Sequence, residues 1–192
     1  GVGKVHEHAQ ISINNVKAGD KIIVSDTIAT HGVAIMSVRE GLEFETAVKS
    51  DTRGLNHVVS KLLDEFGKDI HLLKDPTRGG IATVLNEIAR DRNHGVKISQ
   101  KQIPIQNEVN ALCEILGLDP LYVANEGVFI AVVDSRISEK FVKKLKSMDY
   151  GKNASIIGEI TESHPRQVVL TSSISGKRIV NMLAGEQLPR IC

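Results

Sequence analysis

Aromatic residues are scarce: they make up 3% of 192 residues, and tryptophan is missing altogether. A stacking platform for single-stranded nucleic acid needs several exposed rings, which this composition does not supply. An excess of charge of either sign is missing too. Twenty-four Lys and Arg against 23 Asp and Glu leave a formal net charge of +1. That is too little to steer the chain onto phosphate backbones or anionic membranes, so neither nucleic acid nor membrane is expected as a partner. No apolar run approaches the ~20 residues of a membrane span, and no signal-peptide pattern opens the chain. The two cysteines, Cys113 and Cys192, are too few for a disulfide framework and stand outside any zinc spacing. A reducing, cytoplasmic setting is the expectation.

What is there describes an ordinary globular protein, 41% hydrophobic and 24% charged, long enough for one sizeable core. The first residue is Gly1, and "GVGKV" reads as the continuation of a longer chain. The expected division is therefore one domain over residues 1–183, with 1–15 closing a preceding domain, and a mobile tail over 184–192.

The pattern alternates strands and helices. "DKIIVSDTI" (20–28) reads as a buried strand and "THGVAIMSVREGLEF" (30–44) as a helix with Gly41 near its end. "GLNHVVSKLLDEFG" (54–67) is amphipathic at intervals of three and four and stops at Gly67. After the short apolar segment "IHLL" (70–73), helices are expected over 81–91, 107–117 and 138–148. Strands are expected over 95–100, 127–133 and 154–160, and a hairpin over 167–180. Short connections and a closing hairpin predict an α/β fold with one mixed sheet and helices packed on it, not a clean doubly wound sheet.

Chemistry concentrates in a few stretches. In "KDPTRGGIATVLNEIA", Asp75 and Pro76 set a turn, Thr77 is a natural N-cap, and Gly79 and Gly80 let the backbone approach a ligand. Free N–H groups at the following helix start favour an anion such as phosphate, and Arg78 can add a bidentate contact. The bland alternative is a capped helix start with a Gly-Gly packing contact. In "LYVANEGVFIAVV", Asn125 and Glu126 sit between two apolar runs, where a carboxylate can act as a general base or simply face solvent in a turn. His31 precedes a helix as a cap or an anion contact. "HEH" puts His6 and His8 on one side of an extended strand with no third ligand at a recognisable spacing, so no metal site is expected. Cys113 falls on an apolar helical stripe and reads as packed.

Together, "HGVAIMSVREGLEFE", "DPTRGGIATVLNEIA", "LGLDPLYVANEG" and the terminal "PRIC" resemble the HypE family of hydrogenase maturation proteins, from about His31 to Cys192. The first three stretches also echo a wider superfamily of ATP-using synthetases that includes aminoimidazole ribonucleotide synthetase and selenophosphate synthetase. The resemblance implies the C-terminal domain fold of that synthetase. The family's N-terminal domain, which holds most of the ATP site and its magnesium-binding acidic residues, has no counterpart here.

The resemblance also implies a chemistry. The terminal cysteine, Cys192 here, accepts a carbamoyl group from the carbamoyltransferase HypF. ATP-dependent dehydration then turns the S-carboxamide into an S-thiocyanate. The cyanide passes to a HypC-HypD complex as a ligand for the iron of [NiFe]-hydrogenases. Glu126 with Asn125 is the candidate for proton handling. Asp75, Thr77, Arg78, Gly79, Gly80 and His31 are candidates for the nucleotide and its phosphates, with ATP and Mg as cofactors and a homodimer as the expected assembly. The readings left open beside it are another synthetase acting on a small soluble substrate and a non-catalytic docking domain that presents a thiol.

Overall fold

The computed structural model describes Val2, residues 4–39 and residues 48–183. Seven strands, β1 (Lys21–Val24), β2 (Ile70–Lys74), β3 (Gly95–Ser99), β4 (Ile130–Val133), β5 (Ser155–Thr161), β6 (Val168–Thr171) and β7 (Lys177–Val180), form one sheet in the order β2-β4-β1-β5-β3-β6-β7. Every pairing is antiparallel except β3 with β6. The mixed sheet expected from the short connections is what forms. Among the described residues five helices pack on it: α1 (Thr30–Arg39), α2 (Asn56–Phe66), α3 (Gly80–Arg92), α4 (Asn107–Leu116) and α5 (Ser138–Lys146).

The strands at the centre are continuous apolar runs because both of their faces are covered. Along β1, Ile22 and Val24 face the layer of α1, α3 and α4, whereas Ile23 faces α2 and α5. β4 divides likewise, with Ile130 and Val132 to one side and Ala131 and Val133 to the other. In the α2/α5 layer, Phe66 and Phe141 meet at 5.4 Å between ring centroids and lock the two helices together.

Several expectations are corrected at element ends. β1 stops at Val24, because Ser25 turns inward to bond Tyr150 and Phe129. The segment "IHLL" is a strand, and β4 starts at Ile130 rather than residue 127. His6 and His8 do not lie along a strand: His6 opens a turn and His8 lies within it, and His6 Nε2 shares a 3.1 Å hydrogen bond with Asp64 Oδ1. Cys113 is buried, as its stripe predicts. The expected helix end at Gly41 and the tail 184–192 lie outside the described residues.

Candidate functional site

The starts of α1 and α3 rest on one segment, residues 121–126. α1 is entered through Ala29, which adopts φ +69° although it carries a side chain, and whose N–H donates to Asn125 Oδ1 at 2.8 Å. Such backbone strain persists only where the surroundings enforce it. Three residues on, the Gly32 N–H donates to the Ala124 carbonyl at 3.1 Å, and a Cβ on Gly32 would lie 2.5 Å from Val123 Cγ1. α3 begins at Gly80 with φ +58°, and a Cβ there would meet the carbonyl oxygens of Leu121 and Val123 at 2.5 and 2.6 Å. The helix start has been brought against bare backbone, which only glycine allows.

This corrects the expected cap. Thr77 is not the N-cap of α3; Gly79, in the left-handed region at φ +71°, holds that position with no side-chain hydrogen bond. The Thr77 carbonyl instead accepts from the Gly80 N–H at 3.1 Å, which closes the turn one step earlier than a Thr cap would.

Asn125 ties the loops together. Its fully buried amide donates to the carbonyls of Pro76 and Val123, each at 3.0 Å, and accepts from Ala29. Its backbone N–H donates to Pro76 as well, at 3.2 Å. Both amide donors are committed to backbone, so this side chain positions the loops around it. Glu126, next in the chain, is half-buried, and its backbone N–H donates to Asp51 Oδ1 at 3.2 Å.

Behind Glu126 lies a network that the sequence reading missed. The Gly127 carbonyl accepts from Tyr150 Oη at 2.7 Å and from Arg53 Nε at 3.1 Å. Arg53 lies 3.9 Å over the Tyr150 ring and donates to Asp26 at 2.8 Å, and Asn153 donates to the other Asp26 oxygen at 2.9 Å. Burial pushes the Asp26 carboxyl up, but the hydrogen bonds from Arg53, Asn153 and Thr27 outweigh it and hold the group below its ordinary value. Burial also pushes the Tyr150 hydroxyl up, so it stays protonated as a donor. Apart from the neighbouring Asp26 and Thr27, the bonded pairs are 23 to 127 positions apart, and no local motif joins them.

The other candidates fall as follows. His31 is inside the first turn of α1, not ahead of it, and is buried. Its Nδ1 shares a 2.9 Å hydrogen bond with Ser50 Oγ, and its Nε2 has no partner. Thr30 Oγ1, at the first residue of α1, and Asp51 Oδ2, in the loop ahead of α2, are also buried and unpartnered. Asp75 and Arg78 are exposed on the loop ahead of α3, Thr77 is half-buried, and Gly79 lies at the turn's edge. Cys192 lies outside the described residues. Among the described residues no group of three or more His, Cys, Asp and Glu side chains is placed to hold a metal ion.

Residues 17–170 match the family described as AIR synthase related protein, C-terminal domain. The chain belongs to this family. The AIR synthase related domain is also similar over its whole length to the carbamoyl dehydratase HypE of Bradyrhizobium diazoefficiens, at 42% identity, and covers 56% of that protein. It superposes on a solved hydrogenase maturation protein HypE in complex with ATP with a TM-score of 0.89, at 40% identity over 95% of this chain and 55% of that one. For a HypE-HypF complex the TM-score is 0.86, at 42% identity over 92% of this chain and 57% of the other. The AIR synthase related domain thus spans a little over half the length of the relatives it matches. None of its described helices is long and apolar enough to cross a membrane.

Proposed function

We propose that the protein to which this domain belongs matures [NiFe]-hydrogenase by dehydrating an S-carboxamide on Cys192 to an S-thiocyanate at the expense of ATP. The observation that supports the reading is the junction of the α1 and α3 starts on residues 121–126, where Gly80 meets the Leu121 and Val123 carbonyls and Asn125 holds Pro76 and Ala29. The similarity to carbamoyl dehydratases over the full chain supports it.

The chemistry balances in two steps. The carboxamide oxygen attacks the γ-phosphorus of ATP, releasing ADP, and one nitrogen proton leaves. The second proton then leaves the nitrogen, the C–O bond breaks, and phosphate departs as C≡N forms. Glu126 is the proposed acceptor of a nitrogen proton. The N–H groups that open α3 are the proposed phosphate contacts, and Gly80, packed against the Leu121 and Val123 carbonyls, fixes where that turn starts. Arg78 supplies positive charge from the same loop, with Asp75 and Thr77 ordering it; His31 serves the same anion from α1. Asn125 acts through the loops it holds rather than on the proton. Magnesium, with the main nucleotide contacts, belongs in this reading to an N-terminal domain that precedes residues 1–15.

The partners in this reading are the carbamoyltransferase HypF, supported by the solved HypE-HypF complex, and a HypC-HypD pair that receives cyanide. Residues 184–192 form the carrier tail, the assembly is a homodimer, and the setting is cytoplasmic. Intact mass of the C-terminal peptide tests the reading, with HypF, carbamoyl phosphate and ATP supplied to a chain of the relatives' full length. A carbamoyl mass on Cys192 followed by loss of one water is expected. An unmodified Cys192 sinks the carrier reading in favour of a synthetase acting on a soluble substrate. A carbamoyl mass that never loses water leaves a thiol-presenting docking domain.

A further inference from the structure

The last strand does not simply run out into solvent. β7 is an edge strand whose Lys177, Arg178 and Ile179 are exposed, yet its end is pinned at several points. Arg178 donates to Asp119 at 2.6 Å. Asn86, on α3, donates to the Val180 carbonyl at 3.0 Å and to Ala82 at 2.8 Å. Tyr122 Oη donates to the Asn181 carbonyl at 2.9 Å. Leu183 then brings its Cδ2 within 3.4 Å of where a Cβ on Gly79 would stand. All the pins come from α3 and from the 119–122 segment, the two elements that meet at Gly80.

We propose that Val180–Leu183 is a fixed pivot for the carrier tail, and that Asn86 and Tyr122 are positioning residues for the dehydration step. This rests on the reading above. The pivot stands on the Gly79 turn itself, so the nine residues 184–192, at ~3.3–3.6 Å each, place Cys192 within about 30 Å of the α3 start. Without the pins on Val180 and Asn181, β7 stays paired to β6 through Val180, and the chain leaving the domain lengthens to the 12 residues from Asn181. Effective concentration falls roughly as the −3/2 power of tether length, so encounter with the site would drop about 1.5-fold. Loading by a separate enzyme does not depend on that tether.

The test uses the full-length protein and a double variant, Asn86→Ala with Tyr122→Phe. A spin label at Met182→Cys, in a Cys192→Ser background, should be immobile with the pins intact and mobile without them. In the native-tail protein, single-turnover water loss from carbamoylated Cys192 should slow about 1.5-fold in the double variant, with ATP affinity and the rate of carbamoyl loading unchanged. A label equally immobile in both proteins overturns the pivot. So does water loss that is unaffected, or slowed only in step with loading. A parent protein that loads but never loses water defeats the dehydration reading instead, and the label still decides the pivot.

Discussion

The two helical layers of this domain bury similar side chains and do different things. α2 and α5 enter from ordinary right-handed residues, Leu55 and Ile137, and present clean apolar stripes to the sheet. α1 and α3 enter through left-handed backbone at Ala29 and Gly79. Of the five buried, unpartnered side-chain atoms among the described residues, three are on Thr30, His31 and Asp51, about the start of α1. One layer is built to pack and the other to hold loops in place at a cost in backbone strain and unpaired polar groups, which is where a binding site is to be sought.

The sharpest way to break this contrast is to empty the packing layer. Phe141→Ala should cost about 3–5 kcal/mol in urea unfolding, the usual penalty for an aromatic cavity. ATP binding by the full-length protein should persist at temperatures where the variant stays folded. On the other face, Asn125→Ala leaves the Ala29 N–H and the Val123 carbonyl without their side-chain partner, and the Pro76 carbonyl with only the backbone N–H of residue 125. About 1–3 kcal/mol is expected, and dehydration should fall far more than stability does, read by single-turnover mass. Gly80→Ala forces a Cβ against two carbonyl oxygens, so a loss of about 1–3 kcal/mol should come with weakened nucleotide binding by calorimetry.

Smaller effects sharpen the same comparison. Asp26 sits below its ordinary value in the folded state, so its contribution is complete above the unfolded carboxylate pKa of about 3.9 and is lost as pH falls below that. Asp26→Asn should therefore flatten the loss of stability below about pH 4, followed by acid unfolding. Cys113, in the α4 face of the core, has its thiol pushed up to about 11 by burial and by Asp119 and Glu114. Maleimide at pH 7.5 should leave it unmodified until denaturant is added, with peptide mapping as the readout.

Much of this was legible in the chain. The stripes of 54–67, 107–117 and 138–148 mark their helices within a few residues, because a helix that covers a sheet must repeat its apolar residues every three to four positions. "DPTRGG" and "ANEG" are visible as loops between apolar runs. Their meeting is not, since the Asn125–Pro76 bond spans 49 residues and the Asn125–Ala29 bond 96. Thr77 looked like a cap because capping is a local habit of threonine. Gly79 took the position because the close contact of Gly80 with 121–123 decides where α3 can start.

The sequence by itself therefore determined the class of fold, the apolar faces and the residues able to bear charge or bend the backbone, all of which follow from local periodicity and residue chemistry. Only the tertiary structure decided that Asn125 is a clamp, that Arg53 and Tyr150 share the Gly127 carbonyl, and that Leu183 leaves the domain against Gly79. Those contacts join distant segments through directional bonds and steric fit, and neither has a period that a linear reading can detect.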